Sequence, residues 1–145
     1  MSTPEQLRTL KALTERILPS EDGPGAREAE VWRGVDGALQ HRVYQGMAPL
    51  IHQGLEMLDQ LAVQAGDAPF ADCDPSVQDL VLQHLHQSPQ PQARFFLDTL
   101  IRLCLEAFLG DPRHGGNRDQ AGWRFVGLRG EDLAARYCRE PQRTS

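Results

Sequence analysis

Lysine is almost absent from this chain, in which Lys11 is the only one among 145 residues. The arginines are scattered except for a group in the tail, Arg136, Arg139 and Arg143, a pattern typical of a solvated helix end. The formal net charge is -5 at pH 7. Because a nucleic-acid surface needs clustered basic residues, this charge pattern argues against that class of partner.

Cysteines and long apolar runs are also scarce. Cys73, Cys104 and Cys138 lie far apart and form no Cys-x-x-Cys pair, so they do not indicate a disulfide framework. The most apolar stretch, Phe95 to Leu109, is interrupted by charged residues. It therefore does not resemble a membrane span, which needs roughly 20 apolar residues, and we expect a buried helix there.

The first residues show neither a basic segment followed by an apolar one nor a pair of adjacent arginines, the features of exported proteins. We therefore expect a cytoplasmic protein. A periplasmic location would require that a leader has been removed or that a partner carries the chain.

Patterns that indicate catalysis are missing as well. His84 and His86 are two residues apart, so on a helix they point away from each other, unlike a metal-binding His-x-x-x-His pair. We find no Gly-x-Ser-x-Gly element, which would mark a nucleophile, and no glycine-rich phosphate or dinucleotide motif. We expect no catalytic residue, metal site or cofactor site in this chain.

The sequence does contain helical periodicity, and no convincing strand. Thr3, Pro4 and Gln6 form a capping box that starts the first helix, and Pro19 ends it. In the third helix, Gly66 is placed to act as a left-handed cap. The further helices are expected from Ala26 to about Gln40, from Pro49 to Gly66, from Pro75 to the break at Ser88–Pro91, from about Gln92 to Leu109, and, as a short one, from Glu131 to Cys138.

These elements predict an all-α fold, in which a single domain over residues 1–145 forms a compact bundle of about five helices. A long Gly-rich C-terminal loop follows the bundle, and residues 1–6 and 139–145 are expected to fray. The fifth helix is the most apolar and is the best candidate for the centre of the core.

A dense cluster of Gly, Pro, Asn and Asp runs from Gly110 to Asp119 and predicts a tightly shaped loop. In one interpretation the cluster only ends the fifth helix, with Gly110 as a left-handed cap. In the other, which can hold at the same time, the loop contacts a partner. The candidate partner-binding residues are Asp111, Pro112, Arg113, His114, Gly115, Gly116, Asn117, Arg118 and Trp123.

The two tryptophans are ambiguous, because this residue is common both in cores and in interfaces. We expect Trp123 to pack into the core, followed by Phe125, Val126 and Leu128. The position of Trp32 is left open.

The segment from Leu105 to Asp119, LEAFLGDPRHGGNRD, followed by Gly122-Trp123, resembles the C-terminal signature of the gluconate 2-dehydrogenase subunit 3 family. Shorter pieces occur in the matching order. They are Leu13–Pro19 followed by Asp22–Ala26, Gly54–Asp59, and Pro69–Asp72 followed by Gln78–Leu82. The resemblance extends over about residues 7 to 128.

This resemblance implies a non-catalytic small subunit that binds a large FAD-dependent dehydrogenase of the glucose-methanol-choline type, acting on a sugar, polyol or sugar acid. Similar subunits assist folding, cofactor loading or export of the large one, which holds the FAD. Many carry a twin-arginine leader, which is not visible here, so export and a cytochrome partner are in doubt. His114 stands where many relatives have an aromatic residue such as Tyr.

Two other functions are kept as alternatives. A free-standing small enzyme would use His114 as acid or base and Arg113 to bind an anion, and would need a pocket at the loop. A cytoplasmic adaptor unrelated to flavin chemistry would need neither.

Overall fold

A computed structural model describes residues 1–20 and 23–126, which form helices and turns with no strand. The predicted all-α class is confirmed for this part of the chain. Its α-helices are α1 (Pro4–Ile17), α2 (Ala26–Ala29), α3 (Val31–Gln40), α4 (Ala48–Gly66), α5 (Pro75–His86), α6 (Pro91–Leu109) and α7 (Ala121–Phe125). Five of them have ten residues or more, and α2 and α7 are single turns.

The start of α1 follows the predicted capping box. The Gln6 backbone amide donates to Thr3 Oγ1 at 3.1 Å, and the Gln6 side-chain oxygen accepts from the Thr3 amide at 2.9 Å. Two amides that would otherwise lack partners at the helix start are thereby satisfied.

The single helix predicted from Ala26 to Gln40 was wrong, because the chain breaks at Glu30. This residue has left-handed backbone angles, with φ 51° and ψ 49°. On either side of this break, Ala29 at the end of α2 and Val31 at the start of α3 are both fully buried. Tertiary burial outweighs the continuous helical pattern here.

Two predicted helix ends also differ. The left-handed residue after α4 is Asp67, with φ 58°, whereas Gly66 is the last residue of the helix. Gly110 after α6 is extended, with φ -80° and ψ -177°. A Cβ atom at Gly110 would lie 2.7 Å from the Glu106 carbonyl oxygen, so glycine serves close approach at this position rather than a positive φ.

Helix α6 lies at the centre of the core, as its apolar sequence predicted, and it packs against α1, α3, α4, α5 and α7. Phe96 is buried against α4, where a Cβ atom at Gly54 would be 2.1 Å from its ring. This missing side chain lets the two longest helices approach closely.

Several predictions concern parts of the chain outside the described residues. They are the helix from Glu131 to Cys138, the packing of Leu128, the tail residues 139–145, and Asp22 in the connector before α2. Among the described helices, none combines the length and apolarity that crossing a bilayer requires.

Candidate partner-binding loop

The segment between α6 and α7 is a structured connection made of two short 3-10 turns, Pro112–His114 and Arg118–Gln120. We call Gly110 to Gln120 the α6–α7 loop. Asn117 is its centre and is fully buried. The Asn117 Nδ2 donates to the Gly110 carbonyl oxygen at 2.7 Å, and its Oδ1 accepts from the Gly122 amide at 2.7 Å. One side chain thus ties the start of the loop to the start of α7.

Glycines allow this loop to lie directly on the helices. Gly115 and Gly116 have φ of 79° and 81°, a region that favours glycine. A Cβ atom at Gly116 would be 2.7 Å from the Ala107 Cβ, and one at Gly34 would be 3.0 Å from the Gly115 carbonyl oxygen. The loop is therefore packed against both α3 and α6.

Asp111 folds the first turn back on itself. Its carboxylate accepts from the Arg113 backbone amide at 2.9 Å and from the Arg113 guanidinium Nε at 3.0 Å. These bonds to Arg113 lower the pKa of the Asp111 carboxyl below its usual value. At neutral pH the residue is an anion that shapes the loop.

An ion-pair cluster connects the loop to the α2–α3 break. The Glu30 carboxylate pairs with Arg118 from the loop and with Arg33 from α3. The unusual backbone of Glu30 thus coincides with a contact between segments distant in sequence. The guanidinium of Arg33 in turn lies 5.0 Å from the centre of the Trp32 ring, and Trp32, whose position was left open, is half-buried.

The nine predicted partner-binding residues fall into three groups. Arg113, His114 and Arg118 are exposed, and Gly116 and Asn117 are buried. The others are half-buried: Asp111, Pro112, Gly115 and Trp123. The three exposed side chains are available at the surface, while the buried residues determine its shape.

Trp123 packs differently from the expectation of a core residue. Its indole Nε1 donates to the Leu109 carbonyl oxygen at 2.8 Å, which satisfies a group at the end of α6, and the side chain is only half-buried. Phe125 packs its ring 5.8 Å from that of Phe108 but remains 55% exposed. Val126 is also exposed.

Sequence reasoning missed the apolar residues exposed around the loop. Leu105 and Leu109, near the C-terminal end of α6, are 42% and 43% exposed, and Phe125 and Val126, which follow the loop in sequence, are 55% and 47% exposed. The spacing of four between Leu105 and Leu109 places them on one face of the helix. That spacing was visible, but it did not show which face would stay uncovered.

Among the described residues, Ser2, Asp36 and His52 form a cluster that no sequence motif predicted. The Ser2 hydroxyl donates to Asp36 Oδ1 at 2.7 Å and lies 3.0 Å from His52 Nε2. A catalytic triad instead needs the carboxylate to hold the imidazole, so that the imidazole can take the serine proton. Here the serine proton is directed to Asp36, and the cluster fastens the N-terminus to α3 and α4.

Within residues 1–20 and 23–126, no group of three or more His, Cys, Asp or Glu side chains is arranged to hold a metal ion. Burial raises the pKa of the Cys104 thiol to about 12, so this group stays protonated and unreactive. Near the loop, the described surface presents exposed polar and apolar side chains.

The described residues therefore define the class of the protein as a small all-α domain, with a structured surface loop between its helices α6 and α7. The model of one family, gluconate 2-dehydrogenase subunit 3, matches residues 4–130. The chain therefore belongs to this family, and the resemblance read from residues 105–123 is confirmed. Searches of curated proteins and of solved structures each found no match.

Proposed function

We propose that this chain is a non-catalytic subunit that binds and stabilises a large FAD-dependent dehydrogenase subunit. Membership of a dehydrogenase subunit family carries the proposal. The FAD and the oxidation of a sugar, polyol or sugar acid belong to the large subunit. Assistance with folding, cofactor loading or export of that subunit follows from the same interaction.

The α6–α7 loop is the proposed contact. Its backbone is held by Asn117 and by the Glu30–Arg118 pair, so little conformational entropy would be lost on binding. The exposed Arg113, His114 and Arg118 side chains supply polar anchors beside exposed apolar residues. A combination of arginine and apolar side chains is typical of energetically important interface positions.

Stabilisation of the partner needs no chemistry by this chain. A subunit that binds only the native state of its partner shifts the folding equilibrium toward that state, by about 2.7 kcal/mol when its free concentration is 100 times the dissociation constant.

The test is a mild affinity purification of the tagged chain from its native host, with a visible absorption spectrum of the eluate. Co-elution of a large subunit with flavin absorption bands supports the proposal. A colourless chain that elutes alone contradicts it.

A matched pair of variants tests whether the α6–α7 loop contacts the large subunit. Arg118→Glu and Arg8→Glu both reverse an arginine that is 61% exposed and paired with a carboxylate, but Arg8 pairs with Asp72 away from the loop. We expect Arg118→Glu to lose the flavoprotein and Arg8→Glu to retain it. Equal retention by both variants would show that the loop is not the contact.

A further inference from the structure

The outer face of α6 carries a continuous stripe of exposed residues, although this helix also forms the centre of the core. These residues follow one another at alternating spacings of four and three, which keeps them on one side of a helix. We call them the α6 stripe, and all of them are exposed: Pro91, Phe95, Asp98, Arg102, Leu105 and Leu109. The stripe therefore extends over the whole length of α6.

Apolar side chains occupy both ends of the stripe. Phe95 is 52% exposed, more than either Leu105 or Leu109. Single apolar residues are common on protein surfaces, but these three lie on one line together with Pro91. A line of this kind, with a period of 3.5 residues, is the pattern by which one helix packs against another.

The centre of the stripe is charged. Asp98 and Arg102 are four residues apart, a spacing at which opposite charges can pair along a helix. Neither side chain forms an ion pair within the part of the chain that the structure describes. Both charges are therefore available to a helix that packs on this face.

The order of the residues makes the stripe complementary to itself in the antiparallel direction. If two copies of α6 pair about a two-fold axis at the level of Leu100, residues equally distant from Leu100 lie opposite each other. The opposing residues are then Asp98 and Arg102, Phe95 and Leu105, and Pro91 and Leu109. Every contact occurs twice, and in each one an apolar residue meets an apolar residue or an acid meets an arginine.

Charge also determines the direction of pairing. A parallel pair in the same register is unfavourable, because it places Asp98 opposite Asp98 and Arg102 opposite Arg102. The antiparallel pair replaces both repulsions by ion pairs, in which an arginine can bind both oxygens of a carboxylate. The stripe thus fits a second copy of the chain in one orientation.

We propose that the α6 stripe is the interface of an antiparallel homodimer of this chain. A single pair of helices buries less surface than a standard interface, so the dimer is weak, with a dissociation constant of about 10–100 μM. At about 1 μM the chain is then a monomer, and its unfolding reports on the single domain. The stripe contains none of the residues of the α6–α7 loop, so this inference is independent of the proposed function.

Sedimentation equilibrium of the purified full chain at about 5 to 500 μM tests the proposal. We expect the wild type to change from monomer to dimer across this range. Asp98→Arg and Arg102→Asp each bring like charges opposite one another, so each variant alone should associate at least about tenfold more weakly. An equimolar mixture of the two variants should associate again, because one copy then has arginine and the other has aspartate at both positions.

Arg42→Asp and Asp67→Arg are the matched controls, because they make the same changes of charge at exposed residues outside the stripe. Each of them should associate like the wild type, alone or mixed with the other. Circular dichroism checks that all four variants keep the helix content of the wild type. Native mass spectrometry of the first mixture identifies the mixed dimer by its mass.

A wild-type chain that stays monomeric up to about 500 μM would overturn the proposal and leave the stripe to another partner. Undiminished dimerisation of both stripe variants would also overturn it, because the copies would then meet through a different face. A mixture of the stripe variants that fails to associate would exclude the antiparallel register. Since these samples contain no flavoprotein, none of these outcomes affects the proposed function.

Discussion

At the scale of single residues, Asn117 stabilises the α6–α7 loop by forming hydrogen bonds with two backbone groups. It is the only asparagine in the chain and uses both polar atoms of its amide, one toward Gly110 and one toward Gly122. Close contact supports the same arrangement, because a Cβ atom at Gly122 would be 1.7 Å from the Phe108 carbonyl oxygen. The contacts of Asn117 and Gly122 therefore determine both the shape of the loop and the position of α7 against α6.

Replacing this amide should destabilise the domain. Asn117→Ala leaves the Gly110 carbonyl and the Gly122 amide without their partner in a buried place, and we expect a loss of about 2–4 kcal/mol in the free energy of unfolding. Urea unfolding followed by circular dichroism measures it. Gln60→Ala, at an exposed position of α4, is the control and should change stability by less than about 0.5 kcal/mol. Equal stability of the two variants would contradict the role given to Asn117.

At the scale of elements, local signals predicted where helices begin better than where they end. The Thr3 capping box and the proline start of α5 were predicted because they are signals of the first helical turn that the sequence displays. Pro91, assigned to the break before the fifth helix, is instead the first residue of α6. The break at Glu30 depends on burying both neighbouring segments and on ion pairs with Arg33 and Arg118. No local pattern carries that information.

The candidate site, like the helices, was predictable from the sequence only in part. The cluster of turn-forming residues indicated a shaped loop, and the structure has one. Which side chains would face outward depends on packing against α3 and α6, so the burial of Gly116 and Asn117 was not evident. A cleft beside the loop is lined by residues from three separate segments, and sequence spacing alone does not bring His41 and His114 together there.

An ion pair between α1 and α5 gives the fold a pH-dependent contact. Arg16 donates to both oxygens of Asp79, at 2.9 and 2.7 Å, and this bonding lowers the pKa of Asp79. Because the folded state holds this carboxylate more acidic than the unfolded state does, the stabilisation is present above about pH 4 and is lost as the pH falls through the folded-state pKa.

Asp79→Asn should therefore cost stability at pH 7 and little at pH 2.5. Since Asp79 is 55% exposed, we expect a loss of no more than about 1 kcal/mol at neutral pH. Urea unfolding of both proteins across this pH range gives the difference. Asp98→Asn, at an exposed position of α6, is the control, and a difference for Asp79→Asn that stays constant with pH would contradict the assignment.

At the scale of the whole molecule, the segment from α4 to α5 differs in charge from the region of the α6–α7 loop. Acidic residues prevail along α4, α5 and the turn that joins them, namely Glu56, Asp59, Asp67, Asp72, Asp74 and Asp79. In the region of the α6–α7 loop, arginines and carboxylates occur together and form pairs, as in Glu30–Arg118 and Asp111–Arg113. However, an apolar groove lies between α4 and α5, lined by residues that include Leu61, Leu80 and His84. The proposed function therefore depends on which side a partner covers.

Hydrogen exchange of the free chain and of the complex distinguishes these sides. If the partner covers the α6–α7 loop and the adjoining second half of α3, amides in residues 110–126 and in that half of α3 should exchange more slowly in the complex, because their opening is suppressed. Amides of α5 should exchange at the same rate in both states. Binding raises the free energy of local opening by RT ln(1 + [L]/Kd), where [L] is the concentration of free partner. This increase applies only to amides whose opening disrupts the bound surface. Slower exchange confined to α4 and α5 would instead assign the partner to the groove containing Leu80.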